Sequence, residues 1–333
     1  MTDDNSFLAK AWLGSVRVLV TRVLISAASI VVFFTLAELF LRLFIPQQEA
    51  MRWFQSNPAY GYVLKSRFHQ RYHYIDGFTM DVRTNEWGHR GKSYAKADLE
   101  NPAVIKILLI GDSFTFGQGV NDEDTFGALL EHDLNRAGKK YSVINAGVGG
   151  WGTLQSVAYA RDHLSVFHPS IVVYTFCGND PSDDARFMKG VADNDLGALR
   201  FPGKIFLRNY SHVYRLLYFS LAKLRHRLEV SAGAEGTKSM THDLQSESAI
   251  SEEEWKRSLE ALERLGARLG SQNPKNLLMV QASAPWELEI QEHLAPLAKN
   301  DHIVYVDLYD MSKALPDTER QLPYDGHWSR KMH

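Results

Sequence analysis

From Val16 to Ile45 the chain is almost continuously apolar, interrupted by charge only at Arg17, Arg22, Glu38 and Arg42. The part from Val23 to Leu41, at about 1.5 Å per helical residue, extends roughly 28 Å, close to the hydrocarbon thickness of a bilayer. The pattern predicts a transmembrane anchor helix over 23–45, preceded by a segment 1–22. Glu38 and Arg42 fall one helical turn apart and can pair, which lowers the cost of holding both near the membrane interface. Pro46 stops the helix. Residues 51–100 are rich in Tyr, Phe, Trp and His, with turn signals at Asn57-Pro58, Asp76-Gly77 and Trp87-Gly88. Phe68–Tyr74 alternates as a strand does, so 46–102 reads as a β-rich lead-in.

After residue 103 the period alternates. Strand-like runs at Ile105–Ile110, Tyr141–Asn145 and Ile171–Phe176 are separated by helical patterns at Thr125–Ala137 and Leu154–Phe167. The pattern breaks over 181–250, where the Ser-, Gly-, Thr- and Glu-rich stretch 231–250 reads as a loop. It resumes with a capping box, Ser251 to Glu254, opening a helix that runs to about Leu269. A strand at Asn276–Ser283, a helix at Trp286–Lys299 and a strand at Ile303–Leu308 follow. This predicts an α/β fold over 103–333, a three-layer sandwich around a mainly parallel sheet, with 181–250 as an insertion. Within the insertion, Lys204–Leu228 interleaves apolar residues such as Phe206, Leu217 and Leu221 with Arg208, Arg215, Lys223, Arg225 and Arg227. Such a segment either lies on anionic lipid beside the anchor or packs over the domain with a solvated basic face.

Composition narrows the field. A net charge of −2 over 333 residues gives no basic field for nucleic acid. One cysteine, Cys177, excludes an intramolecular disulfide framework and any multi-cysteine metal site. A cleaved signal peptide would have an apolar core of about 7–15 residues followed by a small-x-small site. Here the run is longer and ends Phe-Leu-Arg-Leu-Phe-Ile-Pro, which fits an uncleaved anchor. Lys10, Arg17 and Arg22 precede the span and Arg42 and Arg52 follow it, so the positive-inside rule puts 1–22 in the cytoplasm and the remaining chain outside it.

In parallel sheets, ligands gather at the carboxyl ends of the strands. Three of those ends carry unusual residues: Gly111-Asp112-Ser113, then Asn145-Ala-Gly-Val-Gly-Gly150, then Cys177-Gly-Asn179-Asp180. Near the C-terminus stands Tyr324-Asp325-Gly326-His327-Trp328. A serine on a tight strand-to-helix turn presents its hydroxyl above the sheet, and the helix N-terminus favours developing negative charge. Glycines let backbone N–H groups approach an oxyanion, an asparagine amide adds a donor, and a nearby Asp and His supply orienter and base. Gly147–Gly152 also matches a dinucleotide fingerprint, but the next strand brings no acidic residue before Asp180 and this is not the first βα unit. No Gly-x-Ser-x-Gly and no His-Glu-x-x-His occurs. His69 and His73 share a strand face but have no carboxylate partners, and read as surface or packing residues. Cys177 reads as a packing residue.

These four blocks, in this order, resemble the SGNH (GDSL-type) hydrolase family over roughly residues 103–330. The resemblance implies an SGNH/flavodoxin-like sandwich with Ser113 as nucleophile, and Asp325 and His327 completing its triad. It makes the Ser113 N–H, Gly150 and the Asn179 amide the oxyanion donors, and calls for no metal or organic cofactor. The Asn85-Glu-Trp-Gly-His-Arg90-Gly91 stretch, with the anchor and lead-in, is similar to membrane-anchored members. The final block departs from the usual Asp-x-x-His, since Asp325 and His327 are two apart, as in polysaccharide O-acetyltransferase-like relatives. Cys177 stands where the family has the first Gly of Gly-x-Asn-Asp. The sequence stops six residues after His327, where the family continues into a closing helix, so the His-bearing loop is expected to be weakly held.

The implied function is a membrane-anchored serine esterase on the extracytoplasmic side, acting on short-chain, acetyl-type esters through an acyl-enzyme. Two alternatives stay open: an O-acyltransferase for a cell-surface polysaccharide, served by a membrane acyl-donor protein, and a non-catalytic carbohydrate-binding or scaffold subunit. The expected partners are the bilayer, through 23–45, and an ester or acylated carbohydrate.

Overall fold

The structure, a computed structural model, describes residues 3–45, 51–73, 79–136, 138, 140–189, 207, 210–218, 220–221, 250–284, 287–322 and 327–333. The loop expected over 231–249 lies outside the described residues. The chain divides into two compact units, 1–48 with 201–229 and 49–200 with 230–333.

The first unit is built on one long helix, α1 (Asp3–Phe44). Its apolar part, Val16–Phe44, is 29 residues long with a mean hydropathy of 2.3. Most side chains along it, Leu24, Phe33 and Leu43 among them, are exposed, while Leu41 is buried. The helix begins well before residue 23 because no breaker separates Asp3 from the apolar run. Arg42 Nε donates to Glu38 Oε1 at 2.8 Å, the pair their spacing predicts.

The second unit is centred on five parallel strands in the order β6-β5-β7-β8-β9. These are β5 (Ile105–Gly111), β6 (Tyr141–Asn145), β7 (Ile171–Phe176), β8 (Leu277–Ala282) and β9 (Ile303–Val306). Both sheet faces are covered, which is why the central β5 and β7 read as largely apolar runs and do not alternate. On one face Leu108, Ile110, Val172, Tyr174 and Leu278 share a core with Leu164 and Phe167 of α5 (Thr153–Phe167) and Leu262, Leu265 and Leu269 of α7 (Glu252–Gln272). On the other, Ile107, Leu109, Val143 and Val173 pack under Phe126, Leu130 and Leu134 of α4 (Phe126–Arg136). Two short helices matter below, α3 (Ser113–Phe116) after β5 and α6 (Asp180–Met188) after β7. The strand order reverses between β6 and β7, so the carboxyl end of β5 lies at the switch point where a crevice opens.

The helix predicted over Trp286–Lys299 is shorter. α8 covers Leu288–Leu294 and gives way to a 3₁₀ turn at Ala295–Lys299, because Pro296 has no N–H to continue the α-helical ladder. β9 ends at Val306, and the Asp307 side chain accepts from Tyr309 N (2.8 Å) to turn the chain away.

The lead-in forms two antiparallel hairpins. β1 (Phe54–Asn57) pairs with β2 (Gly61–Leu64), and β3 (His69–His73) with β4 (Thr79–Arg83). Trp53, Tyr62, Leu64, Tyr72, Met80 and Val82 are buried in the same core as the central sheet, and Trp53 stacks on Phe116 at 5.9 Å between centroids. β3 lies within the stretch that alternates in the sequence. His69 does meet a carboxylate: its Nε2 lies 2.5 Å from Asp81 Oδ1 on β4, a partner twelve residues away that inspection of neighbouring positions does not find.

Candidate active site

β5 ends in a turn that admits only glycine. Gly111 has φ +143°, and a Cβ there would stand 2.4 Å from Thr115 Oγ1 and 2.9 Å from Thr175 O. Asp112 then caps α3, its Oδ1 accepting from Phe114 N at 2.9 Å, and Gly117 closes the helix with φ +83°. Ser113 is thereby the first residue of a one-turn helix at the sheet's switch point. Burial pushes the Asp112 carboxyl up, against the opposing pull of Phe114 N–H and His327.

The end of β6 is laid against this turn. Val148 N donates to Gly111 O (3.0 Å), and Asn145 Nδ2 to Thr115 O (2.8 Å). A Cβ on Gly147 would strike Phe116 N at 2.4 Å, and one on Gly149 would sit 3.6 Å from Ser113 Cβ. Gly150, φ +78°, is walled by the Tyr62 hydroxyl, which donates to Gly149 O at 3.1 Å.

Asn179 sits at the start of α6, beyond the end of β7. Its Nδ2 donates to Asp183 Oδ2 at 2.6 Å, and because a carboxylate only accepts, this bond distinguishes the amide nitrogen from the oxygen. The preceding turn is tied by Asp180, whose Oδ2 accepts from Cys177 N (2.9 Å) and the Tyr174 hydroxyl (2.5 Å). Burial, with Asp112 and Asp180 nearby, drives the Cys177 thiol well above its ordinary range.

His327 Nε2 lies 2.7 Å from Ser113 Oγ, a hydrogen bond between residues 214 apart in sequence. Side-chain and backbone anchors hold the described part of the segment that carries it. Leu322 N donates to His327 O (2.7 Å), and the buried Trp328 indole donates to Ser283 O (2.5 Å). Phe114 packs on the His327 ring at 5.0 Å and edge-on to Trp328 at 5.5 Å. Arg330 pairs with Asp124 at 2.8 Å, and His333 stacks on Phe126. Burial keeps the His333 imidazole neutral, down to about 3. Asp325 lies outside the described residues.

The structure thus brings Ser113, His327, the Gly149–Gly150 turn and the Asn179 turn to the ends of adjacent strands. It adds residues that the motifs do not reveal. Arg90, buried, donates from Nη1 to Phe116 O (3.0 Å) and Gly117 O, from Nη2 to Val120 O (2.5 Å), and from Nε to Asp122 Oδ1 (2.8 Å). It holds the carbonyl end of the serine helix. The only signal for it was its place in the Asn85–Gly91 stretch, whose fold Asn85 organises by accepting from Trp87 N and His89 N. Asp183 and Asp184 look like ordinary acids in a first helical turn, and nothing local shows their burial. Asp184 accepts from Leu154 N and Ser258 Oγ, and desolvation raises it to about 7. Among the described residues no group of three or more His, Cys, Asp or Glu is placed to hold a metal ion.

Residues 109–333 match the GDSL-like lipase/acylhydrolase family, a stretch that runs from β5 through His327. The chain belongs to that family. It is a carboxylic ester hydrolase of the SGNH type. Among solved structures it is similar to AlinE4, an SGNH-hydrolase family esterase (16% identity, 68% of this chain and 86% of that one, TM-score 0.39). It is also similar to TesA (14% identity, 68% and 90%, TM-score 0.39) and to a lipase/acylhydrolase from Enterococcus faecalis (17% identity, 68% and 89%, TM-score 0.39). Among curated proteins none matches the chain.

Proposed function

We propose that this esterase works through Ser113, with His327 as general base and Asp325 orienting it, and that α1 anchors it in a membrane. The observation that carries the catalytic part is the 2.7 Å contact between Ser113 Oγ and His327 Nε2. Nε2 takes the hydroxyl proton as Oγ attacks the ester carbonyl, so the C–O π pair moves onto the carbonyl oxygen. The Ser113 N–H, the Gly150 N–H and the Asn179 amide receive that oxyanion. The proton on Nε2 then passes to the leaving alcohol as its bond to carbon breaks, leaving acyl-Ser113. Water, deprotonated by the same nitrogen, attacks the acyl carbon, and the proton returns to Ser113 Oγ as its bond to that carbon breaks and the acid leaves.

The anchor is supported by the length, hydropathy and exposure of Val16–Phe44. With the basic residues before the span, the catalytic unit faces away from the cytoplasm. The substrate class favoured is a short-chain, acetyl-type ester, for which an acylated carbohydrate outside the cell is the natural source. The test is hydrolysis of p-nitrophenyl esters, from acetyl to long chain, by the full chain in detergent. Turnover that disappears in Ser113→Ala, with acetyl preferred over long acyl groups, supports the proposal. A burst without turnover points to transfer of the acyl group to a sugar hydroxyl, supplied in the cell by a membrane acyl donor. Neither burst nor turnover in the folded protein overturns the catalytic roles and favours a carbohydrate-binding subunit.

A further inference from the structure

Glu38 is the one acid in the apolar part of α1, and the structure gives it more than the Arg42 partner that its spacing predicts. Its Oε1 also accepts from His212 N (2.8 Å), and its Oε2 from Val213 N (3.0 Å) and Ser211 Oγ (3.0 Å). Arg42 reaches on to Tyr210 O. Ser211 accepts from Tyr214 N (3.1 Å) and starts a helix over 212–218, so Glu38 supplies the acceptor for the first two N–H groups of that helix. A carboxylate on a membrane helix is costly unless its lone pairs are filled. Here they are filled by a segment that lies more than 170 residues away in sequence.

The second helix is apolar on the outside. Leu217 and Leu221, four residues apart, stand along one face with exposures of 55% and 65%, and Leu216 beside them is 37% exposed; Tyr210, before the break at Ser211, is exposed as well. Its charge is turned inward: Arg215 is buried, with Nε donating to Ser211 O. Leu36, Leu39, Phe40 and Leu43, on the same turns of α1 as Glu38, are exposed as well. An outward leucine face tied to the end of a bilayer-spanning helix continues that helix's apolar surface. In sequence it is flanked by Lys204, Arg208, Lys223, Arg225 and Arg227, which suit anionic headgroups.

We infer that the 212–218 helix is a second membrane-contacting element, pinned to the anchor by Glu38 and resting Leu216, Leu217 and Leu221 in the outer part of the same bilayer. The inference rests on the anchor proposed above, and its partner is a lipid surface carrying anionic headgroups. The insertion would then fix the catalytic unit's tether to the bilayer at two points.

The test uses the full chain in vesicles of phosphatidylcholine and phosphatidylglycerol. A nitroxide is placed at Leu217→Cys or Leu221→Cys, at Leu24→Cys as the anchor probe, and at Leu129→Cys, on α4, as the aqueous probe. The unaltered chain, whose one cysteine is the half-buried Cys177, is the labelling blank. Collisions with oxygen exceeding those with a water-soluble nickel complex at 217, 221 and 24, and the reverse at 129, are the expected result. Lipid exposure at 24 with water exposure at 217 and 221, or with both reagents excluded there, overturns the inference and leaves the anchor standing. Water exposure at 24 overturns the anchor and the inference with it. Glu38→Ala is expected to move the 217 label toward water while the label at 24 stays in lipid, and no movement removes Glu38 as the pin.

Discussion

Ser113 and His327 touch, yet they are held in opposite ways. Ser113 stands at the end of β5, a strand with both faces buried. Its turn is fixed by Gly111, by the Asp112 cap and by the Arg90 bonds to the carbonyls that follow. His327 stands on a short irregular segment held by a few side-chain anchors, of which the Trp328 indole on Ser283 O is the most buried. The geometry of Ser113 is therefore a property of the fold, whereas that of His327 is a property of one local packing arrangement. Damage on the serine side should appear as lost stability. Damage on the histidine side should appear as lost rate in a protein that stays folded.

The largest effect expected treats the two as a unit. Ser113→Ala and His327→Ala should each lower kcat on p-nitrophenyl acetate by about 10⁴-fold or more, and the double variant by little more than either. A double variant whose losses multiply would show that the two residues act separately. Next comes Arg90→Ala, which removes the ion pair of the Asp122 carboxylate, leaving it the Arg83 N–H, and takes the donors from the carbonyls of Phe116, Gly117 and Val120. It should cost about 3–5 kcal/mol of stability in urea unfolding. A loss under about 1 kcal/mol would mean that the serine turn does not depend on the clamp.

Trp328→Phe keeps a ring against Phe114, removes the bond to Ser283 O and thins the packing on Phe126 and His333. It should lower kcat about tenfold, roughly 1.4 kcal/mol in the barrier, with a stability loss well below that of Arg90→Ala. Equal losses in rate and stability would erase the contrast between the two sides. The smallest effect concerns pH. Asp184 is raised from an ordinary Asp value to about 7 by burial, so between about 4 and 7 the folded state keeps a proton that the unfolded chain has released. Its contribution is complete below the unfolded value and is lost as pH rises through 7. Asp184→Asn, which preserves the shape and the bond from Leu154 N, should show a shallower fall of Tm from pH 5 to 8 than the parent. His89, held neutral by burial down to about 3, contributes the opposite slope below its ordinary value, so the difference between variant and parent is the quantity to compare.

The sequence made legible whatever is written locally. The alternation of strands and helices, the Gly111–Ser113 turn and the order of the Gly150, Asn179 and His327 blocks are all properties of neighbouring residues, and the structure places them together. Pro296 and Asp307 shortened two elements through chemistry equally visible in the chain. What stayed hidden joins distant residues: Glu38 to Ser211, His69 to Asp81, Tyr62 to Gly149, and Arg90 to the carbonyls after Ser113. A lone arginine or aspartate has no periodicity, and only the folded backbone determines whether it meets water or a buried partner. The anchor beside His327 is of the same kind, since Trp328 finds its acceptor on Ser283, just beyond a strand end.

Trp53, Tyr62 and Arg90 all precede residue 103, although the family match begins at 109. Trp53 covers Phe116, Tyr62 walls the glycine turn and Arg90 caps the carbonyls of the serine helix. The smallest portable version of this catalyst thus starts near residue 51. A graft or library design cut at the family boundary would carry the reacting groups away without the scaffolding that sets them.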